Sequence, residues 1–115
     1  MEKNLTILIT SFNRQLYVLR LLKFFSKYDY HFKIVILDSS YKEFTNNDLI
    51  EIINTAKIEL MRFPADIHLK DKLFLGSEKV QTKYCVICAD DDFLIPDSLI
   101  KCVEFLEKNK SYSSA

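Results

Sequence analysis

Glycine is nearly missing from this chain: Gly76 is the single one in 115 residues. That excludes a P-loop or a dinucleotide fingerprint, which need several glycines to bring backbone close to phosphate. Charge of one sign is missing too, since 16 basic and 16 acidic side chains cancel. No global field therefore draws the chain to nucleic acid or anionic lipid, and any such attraction has to come from a local patch. No apolar run approaches the roughly 20 residues that a membrane-spanning helix needs. The start, Met1-Glu2-Lys3-Asn4, leads straight into a strand-like segment without the features of a secretory signal. The expectation is a cytoplasmic protein, or the cytoplasmic part of something larger, with peripheral association at the inner face of a membrane left open and no nucleic-acid partner.

Histidine and cysteine are too few and too scattered for an obvious metal or redox site. Cys85-Val86-Ile87-Cys88 has the spacing of one. However, the segment reads as a strand, where positions i and i+3 point to opposite faces. His31 and His68 supply no second ligand pair. Cys85, Cys88 and Cys102 are expected to be small apolar fillers.

What is present is a well-mixed globular composition, 49% apolar and 28% charged, with the length of one domain, residues 1–115. Residues 5–10, 32–37, 58–63 and 84–89 are short apolar runs and read as strands. Helices are expected over 14–28, with Asn13 as a possible cap, and over 48–56, where Asp48 and Glu51 are spaced like a capping box. Residues 70–82 read as helical, interrupted at Gly76. Pro96 suits the first turn of a last helix carrying Leu99, Val103 and Leu106 on one face. Continuously apolar strands that alternate with helices argue an α/β fold, an open doubly wound and mostly parallel sheet covered on both faces. The helix over 14–28 is unusually apolar, which implies deep burial or a partner. The chain ends without a closing strand, as though it stops partway through a larger domain, and self-association is expected from uncovered apolar surface.

The most informative stretch is Asp90-Asp91-Asp92 at the end of the fourth predicted strand. Like charges about 4 Å apart repel by about 1 kcal/mol in water and by several times more at low dielectric. Apolar neighbours on both sides argue against a merely solvated loop. A divalent cation would relieve the repulsion, and hard oxygen ligands select manganese, magnesium or calcium. Ligands of open α/β sheets bind beyond the carboxyl ends of the strands. The polar groups Ser11-Phe12-Asn13, Asp38-Ser39-Ser40 and the acidic run all fall at such ends. Among the lysines before strand 4, Lys72 is placed to reach a diphosphate, whereas Lys79 and Lys83 read as a solvated helix face.

Three segments, residues 6–14, 36–40 and 88–99, resemble family 2 glycosyltransferases of the GT-A fold, over that family's amino-terminal, nucleotide-sugar-binding half. The resemblance implies that Thr10, Ser11, Phe12, Asn13 and Asp38 surround the nucleotide. It places Asp90 toward the ribose and makes Asp91 the usual metal ligand, with Asp92 in support. The departures are Ala89 at the family's first acidic position, Thr10 where Pro is common, Ser39 where Gly is common, and no Arg-Asn pair near Lys72. The implied activity is metal-dependent, inverting glycosyl transfer from a nucleoside-diphosphate sugar to an acceptor hydroxyl. The implied catalytic base has no counterpart here and is expected beyond Ala115.

Two other acidic-site families fit less well. A haloacid-dehalogenase-like magnesium phosphohydrolase carries its Asp-x-Asp after the first strand, and a response-regulator receiver needs an acidic pair near residue 10. A non-catalytic nucleotide-binding or assembly module is the alternative from a different class.

Overall fold

A computed structural model describes residues 4–28 and 32–115. Met1, Glu2, Lys3 and His31 lie outside the described residues, so the expectation for His31 is left there. The elements run β1 (Leu5–Ser11), α1 (Gln15–Phe25), β2 (Lys33–Asp38), α2 (Asn47–Thr55), β3 (Glu59–Arg62), α3 (Leu69–Ser77), β4 (Tyr84–Ala89) and α4 (Pro96–Lys108). The four strands pair in parallel in the order β3-β2-β1-β4. This is the open α/β sheet expected from the continuously apolar strands.

Chain direction across the sheet reverses after β3, because β4 returns to the far side of β1. Right-handed crossovers then put the helix before β4 on the face opposite the earlier ones. Accordingly, Ile7, Ile9, Ile36 and Cys88 pack with α1, α2 and α4 through Val18, Leu22, Leu49, Leu99 and Val103. Leu8, Val35 and Leu37 form a smaller core on the other face, with Leu73 of α3.

Coverage of that second face is incomplete, which corrects the expectation of two fully covered faces. On β4, an edge strand, Cys85 is exposed and Ile87 is 53% exposed. Cys85 is therefore no filler. Cys88, on the opposite face, is buried at 1% exposure. The two thiols do point apart, as the strand geometry requires.

Helix boundaries shift for local reasons. Asn13 does not cap α1, because its φ of 55° takes it into the left-handed region, which Asn tolerates. Its Oδ1 instead accepts from Tyr41 N at 3.0 Å, while its own N–H donates to Ser40 Oγ at 2.7 Å. Helix α2 is capped by Asn46, whose Oδ1 accepts from Leu49 N at 3.0 Å, two residues before the expected Asp48. Helix α1 stops at Phe25, and its apolar excess is mostly core: Val18, Leu19, Leu21, Leu22 and Phe25 are buried. Gly76 lies inside α3 rather than interrupting it. A methyl group there would sit 2.5 Å from Leu37 Cδ1. The glycine lets α3 approach β2.

Candidate functional site

The switch in strand order lies between β1 and β4, and the carboxyl ends of these two strands open, with the start of α3, into a cleft of about 360 Å³. Thr10, Ser11, Phe12, Lys72, Asp90 and Asp91 line it, together with Arg14 and Leu69. Of the strand-end residues singled out in the sequence, Asn13, Asp38, Ser39, Ser40 and Asp92 do not. Asn13 lines an adjoining hollow of about 270 Å³ with Ser40, Tyr41 and Phe44. The Phe12 and Tyr41 rings, with centroids 5.6 Å apart, join the two spaces.

Asp38 is fully buried at the end of β2. One carboxylate oxygen accepts from Ser40 N and Ser40 Oγ, at 3.3 and 2.5 Å, which closes a tight turn over Ser39. The other oxygen takes the Arg62 guanidinium, which also donates to Ser40 O at 3.2 Å. Asp38 therefore shapes the β2 turn from beneath.

Lys72 reaches the cleft from the first turn of α3 and is 5% exposed. Its Nζ donates to Ser39 Oγ at 2.8 Å and to Ser11 O at 3.3 Å, tying α3 to the ends of β1 and β2. Burial pushes its pKa down, and the charges of Asp38 and Asp90 offset part of that. Beside it, Ser11 Oγ is buried without a hydrogen-bond partner. Lys79 and Lys83, expected on a helix face, lie past the end of α3 and pair with Glu59 and Glu107 at 3.9 and 3.0 Å.

The acidic run splits by environment. Asp90 is buried at 6% exposure, whereas Asp91 and Asp92 are exposed. Burial pushes the Asp90 carboxyl up, the Arg14 guanidinium pulls it down, and Asp91 adds repulsion. The Cys88 thiol behind them is raised to about 11 by burial and by Asp92, Asp90 and Asp91. Asp92 belongs to the turn, where its N–H donates to Ala89 O at 3.1 Å.

Arg14 Nη1 lies 3.2 Å from Asp91 Oδ2 and 3.5 Å from Asp90 Oδ1, so one cationic group already spans the two carboxylates. Among the described residues no three His, Cys, Asp or Glu side chains converge as a ready metal cage. Two convergent carboxylates nevertheless fit a magnesium-type cation, which is commonly held by one or two carboxylates plus substrate phosphates.

Sequence reasoning passed over Arg14 and Tyr41 as site residues, and counted Arg62 only among the basic groups before strand 4, without its partner Asp38. Arg14 carried the only available signal, its place right after the Ser11-Phe12-Asn13 cluster at a strand end. The partners of Arg62 and Tyr41 come from distant segments, so no local pattern marks them.

The fold is an open parallel α/β sheet with a cleft at its switch point, the place where such sheets take their ligands. The model of glycosyl transferase family 2 matches residues 6–114, and the chain belongs to that family. Its fold resembles the crystal structure of S. aureus TarS 1-349, with a TM-score of 0.76 and 13% identity, covering 93% of this chain and 33% of that one. A second crystal structure of S. aureus TarS aligns with a TM-score of 0.71 at 13% identity, covering 91% of this chain and 20% of that chain. The chain thus spans a third or less of the length of these neighbours, which share its GT-A fold. The comparison with curated protein sequences gives no match.

Proposed function

We propose that this chain binds a nucleoside-diphosphate sugar in the cleft at the ends of β1 and β4, as the donor half of a glycosyltransferase. The observation that carries the reading is that buried Lys72 lines the same cleft as Asp90 and Asp91 at the strand-order switch. Lys72 and Arg14 are cations for the diphosphate. Asp91, supported by Asp90, would hold a manganese or magnesium ion, which would supply charge neutralisation at the leaving diphosphate. The ribose lies toward Asp90. Phe12, Asn13 and Tyr41 border the hollow that suits a base, with an aromatic ring for stacking. Asp38 contributes indirectly, by fixing Ser40 and Arg62. Asp92 turns the chain and stands apart from the cleft lining, so the ion is assigned to Asp91 ahead of it.

Transfer to an acceptor hydroxyl is read as inverting, with deprotonation of that hydroxyl by a carboxylate base. Isothermal calorimetry with uridine and guanosine diphosphates, with and without manganese, tests the donor reading. Binding that strengthens with manganese supports it. Binding unchanged by chelation removes the bridging ion, and absence of binding removes the reading.

A further inference from the structure

The outer side of α1 combines cations and apolar groups in a way that neither the core nor the cleft uses. A groove of about 520 Å³ runs along it, lined by Leu16, Arg20, Lys23, Phe24, Lys27 and Phe93, among others. Leu16 is 65% exposed, and Tyr17, Phe93 and Ile95 are each about half exposed. Three cations and no acid line the groove, in a chain whose net charge is zero. The Arg20 guanidinium lies over the Tyr17 ring at 4.8 Å and over the Phe93 ring at 5.2 Å. Charged tips resting on an apolar bed match the chemistry of the lipid headgroup boundary, where aromatic bodies insert and cationic ends meet phosphate.

We propose that this face seats on an anionic lipid bilayer. Charge complementarity selects that occupant: a second copy docked face to face would bring Arg20, Lys23 and Lys27 against the same three cations. The face also adjoins the cleft, because Arg14, which bonds Asp91 at 3.2 Å, lies 5.5 Å from the Tyr17 ring centroid. Seating α1 on a membrane holds the cleft mouth at headgroup height. Resting on the donor reading, this suits an acceptor hydroxyl carried on a lipid.

Vesicle co-sedimentation of the 115-residue chain tests the surface without any nucleotide, so its outcome is separate from that of the donor reading. Vesicles of equimolar phosphatidylcholine and phosphatidylglycerol are expected to bind the chain, and pure phosphatidylcholine far less, with the difference collapsing at high salt. Lys23→Gln with Lys27→Gln lowers partitioning about twenty-five-fold, on the order of fivefold per charge removed. Leu16→Ser lowers it about tenfold, the scale of burying one Leu side chain. All three side chains are exposed, and a far-ultraviolet circular dichroism spectrum like that of the parent chain confirms that the variants fold. Equal binding to both vesicle types, no binding to the anionic ones, or full binding by the Lys variant overturns the proposal. It is equally overturned if Leu16→Ser dissociates a dimer and leaves vesicle binding unchanged. Binding to polyglutamate with none to vesicles assigns the face to an acidic protein instead.

Discussion

Arg14 and Asp91, 77 positions apart in sequence, meet at 3.2 Å across the mouth of the cleft, where Arg14 also lies 3.5 Å from Asp90. The guanidinium occupies the gap between two carboxylates that a metal-bound diphosphate would enter. Arg14 thus neutralises the acids, and on the donor reading it would turn toward phosphate when a diphosphate enters. Arg14→Ala is expected to raise the affinity for manganese alone by about tenfold, through loss of a competing charge. The same change weakens the diphosphate in the presence of manganese. Calorimetry with the metal alone and then with the nucleotide separates the two effects, and a fall in both would show that Arg14 only supports the fold.

Within the acidic run, Asp91→Asn should weaken manganese-dependent nucleotide binding most, by about tenfold or more for one charge-assisted ligand. Asp90→Asn should come next and Asp92→Asn last. If Asp92→Asn does the most damage, the ion belongs one residue later than proposed.

The raised pKa of Asp90 carries a sign that can be measured. Between its ordinary value and its higher folded value, the native state binds more protons than the unfolded one, so this group makes stability fall as pH rises through that window. Asp90→Asn removes that slope and is neutral or stabilising at neutral pH. Urea melts across the acidic range compare the two proteins, and parallel curves would contradict the assignment. Metal-dependent binding, which needs the ionised carboxylate, should decline with falling pH earlier than an ordinary Asp would cause.

Lys72 is held by hydrogen bonds to Ser39 Oγ and Ser11 O, and its folded pKa is lowered chiefly by burial. Lys72→Met keeps the stem but removes the cation. Diphosphate affinity should drop about tenfold or more, the scale of a hydrogen bond to a charged group. Stability should change little, because the buried charge is itself unfavourable. Equal nucleotide affinity in Lys72→Met and the parent chain would make Lys72 a purely structural tie.

Gly76→Ala tests the close approach of α3 to β2. Helix propensity favours alanine by about 1 kcal/mol. The added methyl, however, would press on Leu37 Cδ1 and Cδ2 at 2.5 and 2.7 Å, and Leu37 is fully buried. Overpacking of this kind costs about 1–3 kcal/mol, so a net loss is expected by urea unfolding. Leu37→Val in the same chain should recover part of it.

The strands were legible because each is a short, continuously apolar run, and burial on a parallel sheet needs that pattern whatever its neighbours are. The acidic turn at 90–92 and the polar groups after β1 and β2 were legible as well, since they interrupt apolar segments at strand ends. Lys72 was singled out by its place near the start of a helical stretch, yet its burial against Ser11 and Ser39 could not be read from neighbouring residues. The cap of α1 was misread for a related reason: Asn13 is a good cap by type, but its side chain is claimed by Tyr41 from the β2–α2 loop. Gly76 looked like a helix break because propensity is local, whereas its cause, the Leu37 side chain, lies on another element.

Sequence alone thus determined the secondary elements in outline, their parallel arrangement and the carboxylates of the cleft, because all of these follow from periodicity and from charge next to apolar runs. Only the tertiary structure decided which groups face each other: Arg14 with Asp91, Arg62 with Asp38, and the bare outer half of β4. Those pairings depend on the order β3-β2-β1-β4, which brings strand ends together from segments that share no local pattern.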